Sequence, residues 1–190
     1  MSNNKYNMTY VGDTSSFLYG FIWTHAESNP TNTISFTNDK NQKIITQISA
    51  VKAYELKGGL VVEGAGHTGG NLVQFNTPTD SLTMSCQIAQ GRYKIRMRYA
   101  SDIEQESYLN ISIETSNSSH IGRITIKNTT HVIDAPHNKY KHFQYGSVTL
   151  QNGDINLLNN EPNVTISIEN NQNIPSYSKT LIDKIEFIPQ

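Results

Sequence analysis

The sequence predicts an all-β fold of two antiparallel sheets packed face to face, and three of its features point there. Apolar residues recur at every second position in many short runs, the pattern of a strand with one buried side. Clusters of Gly, Pro, Asn, Asp and Ser break these runs about every ten residues. No window of about ten residues holds an apolar stripe of helical period. Short strands with one apolar face bury it most economically against each other, which makes a β-sandwich, with a jelly roll as the expected topology.

Ile44 to Val51 and Leu60 to Val62 read as short strands separated by the turn Lys57-Gly58-Gly59. Asn71-Leu72-Val73-Gln74-Phe75 reads as strand after the glycine-rich stretch Gly64 to Gly70. Beyond the turn Thr77-Pro78-Thr79-Asp80 comes the clearest run: Tyr93, Ile95, Met97 and Tyr99 on one face, Lys94, Arg96 and Arg98 on the other. Leu109, Ile111 and Ile113 alternate with polar residues, as do Val164, Ile166 and Ile168. Ile124 to Ile126, Ser147 to Leu150 and Leu181 to Ile188 complete the set. Asn152-Gly153-Asp154 and Asn159 to Asn163 serve as turns.

At 190 residues the chain suits one domain. Residues 1–16 carry little apolar pattern and read as a tail or linker from a preceding domain, with the sandwich over 17–190. A net charge of −1 offers no basic footprint for nucleic acid. Cys86 is the only cysteine, so no internal disulfide is expected, and the thiol reads as a small core filler. Neither a secretory signal nor a transmembrane segment is expected.

Catalytic patterns are missing: there is no G-x-S-x-G elbow, no Cys/His signature and no H-x-x-E-H arrangement. Asp183 and Glu186 are three apart, which on a regular strand sends them to opposite faces. The stretch Gly64 to Gly70 lacks the lysine and following helix of a phosphate loop and reads as a tight corner. His131, His137 and His142 lack metal-ligand spacing. No enzyme activity, cofactor or metal is expected.

Four blocks in order resemble the C-terminal, third domain of the three-domain insecticidal Cry δ-endotoxins. They are Phe21-Ile22-Trp23-Thr24-His25 with Asn32-Thr33-Ile34; Ile45-Thr46-Gln47-Ile48 through Val51-Lys52-Ala53 to Gly64–Gly70; Arg92-Tyr93-Lys94-Ile95-Arg96-Met97-Arg98-Tyr99-Ala100-Ser101; and Leu181-Ile182-Asp183-Lys184-Ile185-Glu186-Phe187-Ile188-Pro189. Ser49 and Ala65 stand where the family usually has proline. The resemblance implies a galactose-binding-like jelly roll that binds receptors or glycans and supports the integrity of a pore-forming insecticidal crystal toxin, without forming pores itself. It implies as partners the glycans or glycoproteins of insect gut epithelium and the helical and receptor-binding domains of the same toxin. It also implies a parasporal crystal inclusion of a spore-forming bacterium, and action outside the cell at the host gut membrane. A carbohydrate-binding module of a glycoside hydrolase and a purely structural toxin domain are the alternatives.

The cations Lys94, Arg96 and Arg98 project about 7 Å apart, given the rise of a strand. They are candidates for inter-domain or anionic contact, against a solvated face with local salt bridges. Sugar binding needs an aromatic platform and planar polar side chains, because a pyranose has an apolar face and a hydroxylated rim. In some members of the family it resembles, the sugar pocket lies in the region that here is Asn76 to Ser81, which has no aromatic, and Asn76, Asp80 and Gln87 are the glycan-binding candidates. The stretches Asp102 to Tyr108 and His137 to Tyr145 offer aromatic-plus-polar alternatives, and Trp23 reads as packing.

Overall fold

A computed structural model describes residues 45–63, 71–130, 142–170 and 178–190. The expected tail, the blocks around Trp23 and Asn32, the Gly64–Gly70 stretch, and His131 and His137 lie outside the described residues. The elements are β1 (Thr46–Ser49), a 3-10 turn (Ala50–Lys52), β2 (Glu55–Lys57), β3 (Leu60–Val62), β4 (Leu72–Phe75), β5 (Ser81–Ile88), β6 (Gly91–Ser101), β7 (Ser107–Glu114), β8 (Ser119–Ile126), β9 (Gln144–Leu150), β10 (Ile155–Leu157), β11 (Glu161–Glu169) and β12 (Thr180–Pro189). All pairings between them are antiparallel.

Sheet I is built on the long pair β6–β12, which runs from Thr180 opposite Ser101 to Pro189 opposite Tyr93 with one register shift between Ile182 and Lys184. The far edge of β12 is shared end to end by β4 and β1, and β3 flanks β4. The far edge of β6 is shared by β9 and β10. Sheet II runs β2-β5-β11-β7-β8. Strand β9 belongs to both sheets: Gln144–Ser147 pair with β6, and Val148–Leu150 pair with β8. The chain crosses between sheets repeatedly, which gives the jelly-roll sandwich expected from the alternation.

The core lies between the sheets and is filled by the apolar face of each strand. Tyr93, Ile95, Met97 and Tyr99 of β6 meet Leu109, Ile111 and Ile113 of β7 and Val164, Ile166 and Ile168 of β11 in one cluster. Strand β5 is an element that the sequence reading passed over. Leu82, Met84 and Ile88 nevertheless alternate inward, and Cys86 packs half-buried on the same face. Burial there pushes the Cys86 thiol up to about 12, which suits a core filler and not a nucleophile.

Two glycines answer to space. Gly58, between β2 and β3, has φ +68°, and a Cβ there would sit 2.3 Å from Asp80 Oδ1. On β8, a Cβ at Gly122 would lie 2.5 Å from the Thr149 carbonyl oxygen and 3.0 Å from Leu150 Cα, so β9 can approach only a bare backbone. Gly122→Ala is therefore expected to lower stability by about 1–3 kcal/mol, as overpacking does. Urea denaturation measures this, and an unchanged midpoint would show that β9 has room to move.

Candidate functional site

The outer face of sheet I carries four buried charged side chains, Arg98, Asp183, Lys184 and Glu186. Strict alternation along β12 would return Ile182 to the same side as Lys184 and Glu186. A bulge between Ile182 and Lys184 breaks that parity, because Tyr99 pairs with Ile182 while the next residue of β6, Arg98, pairs with Lys184. Ile182, Ile185 and Phe187 thus enter the core, whereas on the outer face Asp183 engages Arg98 and Glu186 engages both Arg96 and Lys184. The expectation that Asp183 and Glu186 face opposite ways is corrected by this one extra residue. Each is nonetheless tied to a cation, so they do not form a free carboxylate pair.

Arg98 Nη1 donates to Asp183 Oδ2 at 2.8 Å, with both side chains buried. Arg96 Nε donates to Glu186 Oε2 at 2.5 Å. Lys184, 0% exposed, places Nζ 2.7 Å from Glu186 Oε1 and donates to Gln47 Oε1 of β1 at 2.8 Å. Aromatic rings at the start of β9 complete the layer: the Arg98 guanidinium lies 4.3 Å from the Phe143 ring centroid, and that of Arg96 lies 4.0 Å from the Tyr145 centroid. The Tyr145 hydroxyl donates to Glu186 Oε1 at 3.2 Å.

Burial holds Lys184 below the usual lysine range even though Glu186 supports its charge. For Glu186 burial pulls the other way, but the ammonium of Lys184 and the guanidinium of Arg96 outweigh it and hold the carboxyl low. Burial and the neighbouring Glu186 push Tyr145 up to about 12. Of the expected cation row, Arg98 and Arg96 thus meet carboxylates of this same domain, while Lys94, opposite Ile188, is exposed.

The three expected sugar-contacting residues fall in two places. Asp80 is buried and accepts from Asn76 N at 2.6 Å, from Thr77 N at 2.9 Å and from the Thr77 hydroxyl. Asn76 accepts from Gln74 Nε2 at 2.6 Å. These two organise one loop, and the Asp80 carboxylate is occupied within it. Gln87 is exposed near the far end of β5, about 20 Å away along the strand.

A larger opening crosses the outer face of sheet II over β7, β8 and the end of β9. Its volume is about 620 Å³, within the usual range of ligand sites, and its polar walls include Glu106, Tyr108, Asn110, Arg123, Thr125 and Gln151. Tyr108 stands opposite Thr125, Asn110 opposite Arg123, and Arg123 opposite Thr149. The Arg123 guanidinium lies 4.2 Å from the Tyr108 ring centroid. Glu106 pairs with Lys127 at 3.0 Å at the margin. Tyr108 ends one of the aromatic-plus-polar stretches named from the sequence. Arg123 was missed, although it sits one position before the alternating Ile124-Thr125-Ile126 and must face outward with Thr125. Among the described residues no group of three or more His, Cys, Asp or Glu could hold a metal ion, and no helix is long and apolar enough to cross a membrane.

The family model for delta endotoxin matches residues 45–190. The chain belongs to the delta endotoxin family. It is 36% identical over 176 residues to an insecticidal crystal toxin protein of Bacillus thuringiensis subsp. kurstaki, covering 90% of this chain and 57% of that one. Against the pesticidal crystal protein Cry4Aa of Bacillus thuringiensis subsp. israelensis the identity is also 36%, over 90% of this chain and 14% of the relative. The solved structure of the mosquito-larvicidal Cry4Aa toxin superposes with a TM-score of 0.60 at 30% identity, covering 77% of this chain and 24% of that one. The delta endotoxin domain thus spans 57% or less of these relatives, and it corresponds to their C-terminal, third domain. A β-1,3-glucan-binding CBM6 module from Bacillus halodurans shares the fold alone, with a TM-score of 0.52, 14% identity, and coverage of 75% of this chain and 94% of the module.

Two outcomes test the charged face. Arg98→Met removes the cation against which the buried Asp183 carboxylate is set, and should cost about 3 kcal/mol or more. Arg98→Met with Asp183→Leu should recover much of that loss in the same denaturation series. Because Glu186 titrates lower in the folded chain than its ordinary 4.5, it adds stability above that value and loses it as pH falls further. Glu186→Gln should flatten the fall in melting temperature below about pH 4.5; an unaltered acid limb would contradict the assignment.

Proposed function

We propose that this domain is the receptor- or glycan-binding and structural-integrity module of a pore-forming insecticidal crystal toxin, and that it does not permeabilise membranes by itself. Its partners are glycans or glycoproteins on insect gut epithelium and the other domains of the same toxin. It is stored in a parasporal crystal and acts at the host gut membrane. The observation that carries the adhesive role is the groove on sheet II, where an aromatic ring stands among amide, hydroxyl and guanidinium groups. That combination offers a sugar hydrogen-bonding groups that can match its rim, beside a ring that holds the guanidinium in place.

The two faces divide the work. On sheet I the ion pairs of Arg96 with Glu186 and of Arg98 with Asp183 tie β6 to β12, Lys184 joins β12 to Gln47 of β1, and both support integrity, while Lys94 and the partly exposed Arg96 remain available to a neighbouring domain or an anionic surface. The loop of Asn76 and Asp80 is the weaker sugar site, because its carboxylate is already spent on backbone and hydroxyl donors. A hydrolase-borne carbohydrate-binding module would share this fold, and membership of the delta endotoxin family favours the toxin.

Binding to gut brush-border vesicles, with and without competing glycans, tests the reading. The intact chain should bind in a sugar-inhibitable way and release no trapped dye, and Tyr108→Ala should weaken binding about ten-fold, the scale of one good contact. Dye release by this chain alone, or binding indifferent to every sugar and to Tyr108, would sink the proposal.

A further inference from the structure

The groove on sheet II has a property that a neutral sugar site does not need. The Tyr108 ring is covered by the Arg123 guanidinium, 4.2 Å from its centroid, so a neutral pyranose could stack on that face only by displacing the arginine. The stack in turn holds Arg123 as a planar donor. A guanidinium lying on an aromatic ring keeps its N–H groups at its edge, where they can bind an oxyanion two at a time.

The charges around it leave that cation unmatched. Among the described residues Arg123 makes no ion pair. The groove's acidic residue, Glu106, pairs with Lys127. Asn110, directly opposite Arg123, is uncharged, and Glu169 lies one strand further along the same row, about 10 Å from Arg123. The other walls, Thr125, Thr149 and Gln151, bring hydroxyl and amide groups suited to a sugar's rim.

We propose that the Tyr108–Arg123 groove binds an anionic glycan, one carrying a carboxylate or sulfate, with the oxyanion on the edge of Arg123 and the ring hydroxyls on Asn110, Thr125 and Gln151. This rests on the adhesive reading above and specifies its ligand class. Carboxylate and sulfate share the chemistry of a planar or tripodal oxyanion beside a polyol, so both are tested.

The intact chain is titrated with sulfated glycosaminoglycan oligosaccharides, with uronic-acid oligosaccharides and with neutral oligosaccharides of equal length. Arg123→Gln, Arg123→Lys and, as a control, Lys57→Gln at the other edge of sheet II are titrated alongside. The expected result is binding to at least one anionic series over the neutral one, weakened by salt. Arg123→Gln should lower it about ten-fold or more, Arg123→Lys should restore it only in part because the fork is lost, and Lys57→Gln should leave it unchanged. Equal binding of neutral sugars, or retention of binding by Arg123→Gln, overturns the anionic ligand and leaves the adhesive role standing. Equal losses from Lys57→Gln and Arg123→Gln also overturn it, since they indicate diffuse charge attraction. If no glycan of any kind binds, both readings fall together.

Discussion

The pairing of β6 with β12 requires that charged side chains be buried on one face while an unbroken apolar row is kept on the other, and the bulge at Asp183 reconciles the two. A regular strand cannot send Ile182 and Ile185 to the same side. One additional residue allows it and brings Asp183 over to the cations, so that Arg98, Lys184, Arg96 and Glu186 form a continuous ionic layer. Such a layer is costly to desolvate, and its members survive burial because each has an opposite charge or an oxygen within hydrogen-bond reach. Strands β1, β4, β9 and β10 all attach to this pair, so the placement of sheet I follows from it.

The alternation in the sequence revealed most of the strands, because a half-buried strand writes its two faces directly into residue order. The run from Tyr93 to Tyr99 and the runs through Ile111 and Ile166 occupy the positions their patterns indicate. Strand β5 was overlooked although Leu82, Met84, Cys86 and Ile88 alternate, since Ser, Met, Cys and Gln are less distinctive strand formers than Val, Ile or Tyr. The bulge had a signature too: apolar spacing slips from three residues, Ile182 to Ile185, to two, Ile185 to Phe187. What could not be read was partnership. Nothing in the order of residues says that Arg98 meets Asp183, 85 positions away, or that Arg123 lies across Tyr108, because strand adjacency is set by the tertiary fold.

The two outer faces differ in kind. That of sheet I is saturated along Arg96, Arg98, Asp183, Lys184 and Glu186, their charges bound to one another and the rings of Phe143 and Tyr145 capped by cations, with Lys94 exposed at its end. That of sheet II is a field of short hydroxylated side chains, with Thr83, Ser167 and Ser112 aligned across three strands, and it rises into aromatic and guanidinium groups only at the β7–β8 end. A face of small polar groups costs little to desolvate piecewise, and one planar cation on a ring gives it direction.

The continuous path of strands begins at β2 and ends at β3, and these two ends are consecutive in the chain, joined through Gly58 and Gly59. With β9 closing the opposite side, the sandwich is shut like a folded sleeve: one seam is a shared strand and the other a two-glycine stitch. Its terminal strands are only three residues long, so each offers little unpaired backbone on which another copy could template itself. Short terminal strands of this kind resist strand-by-strand addition at those two edges.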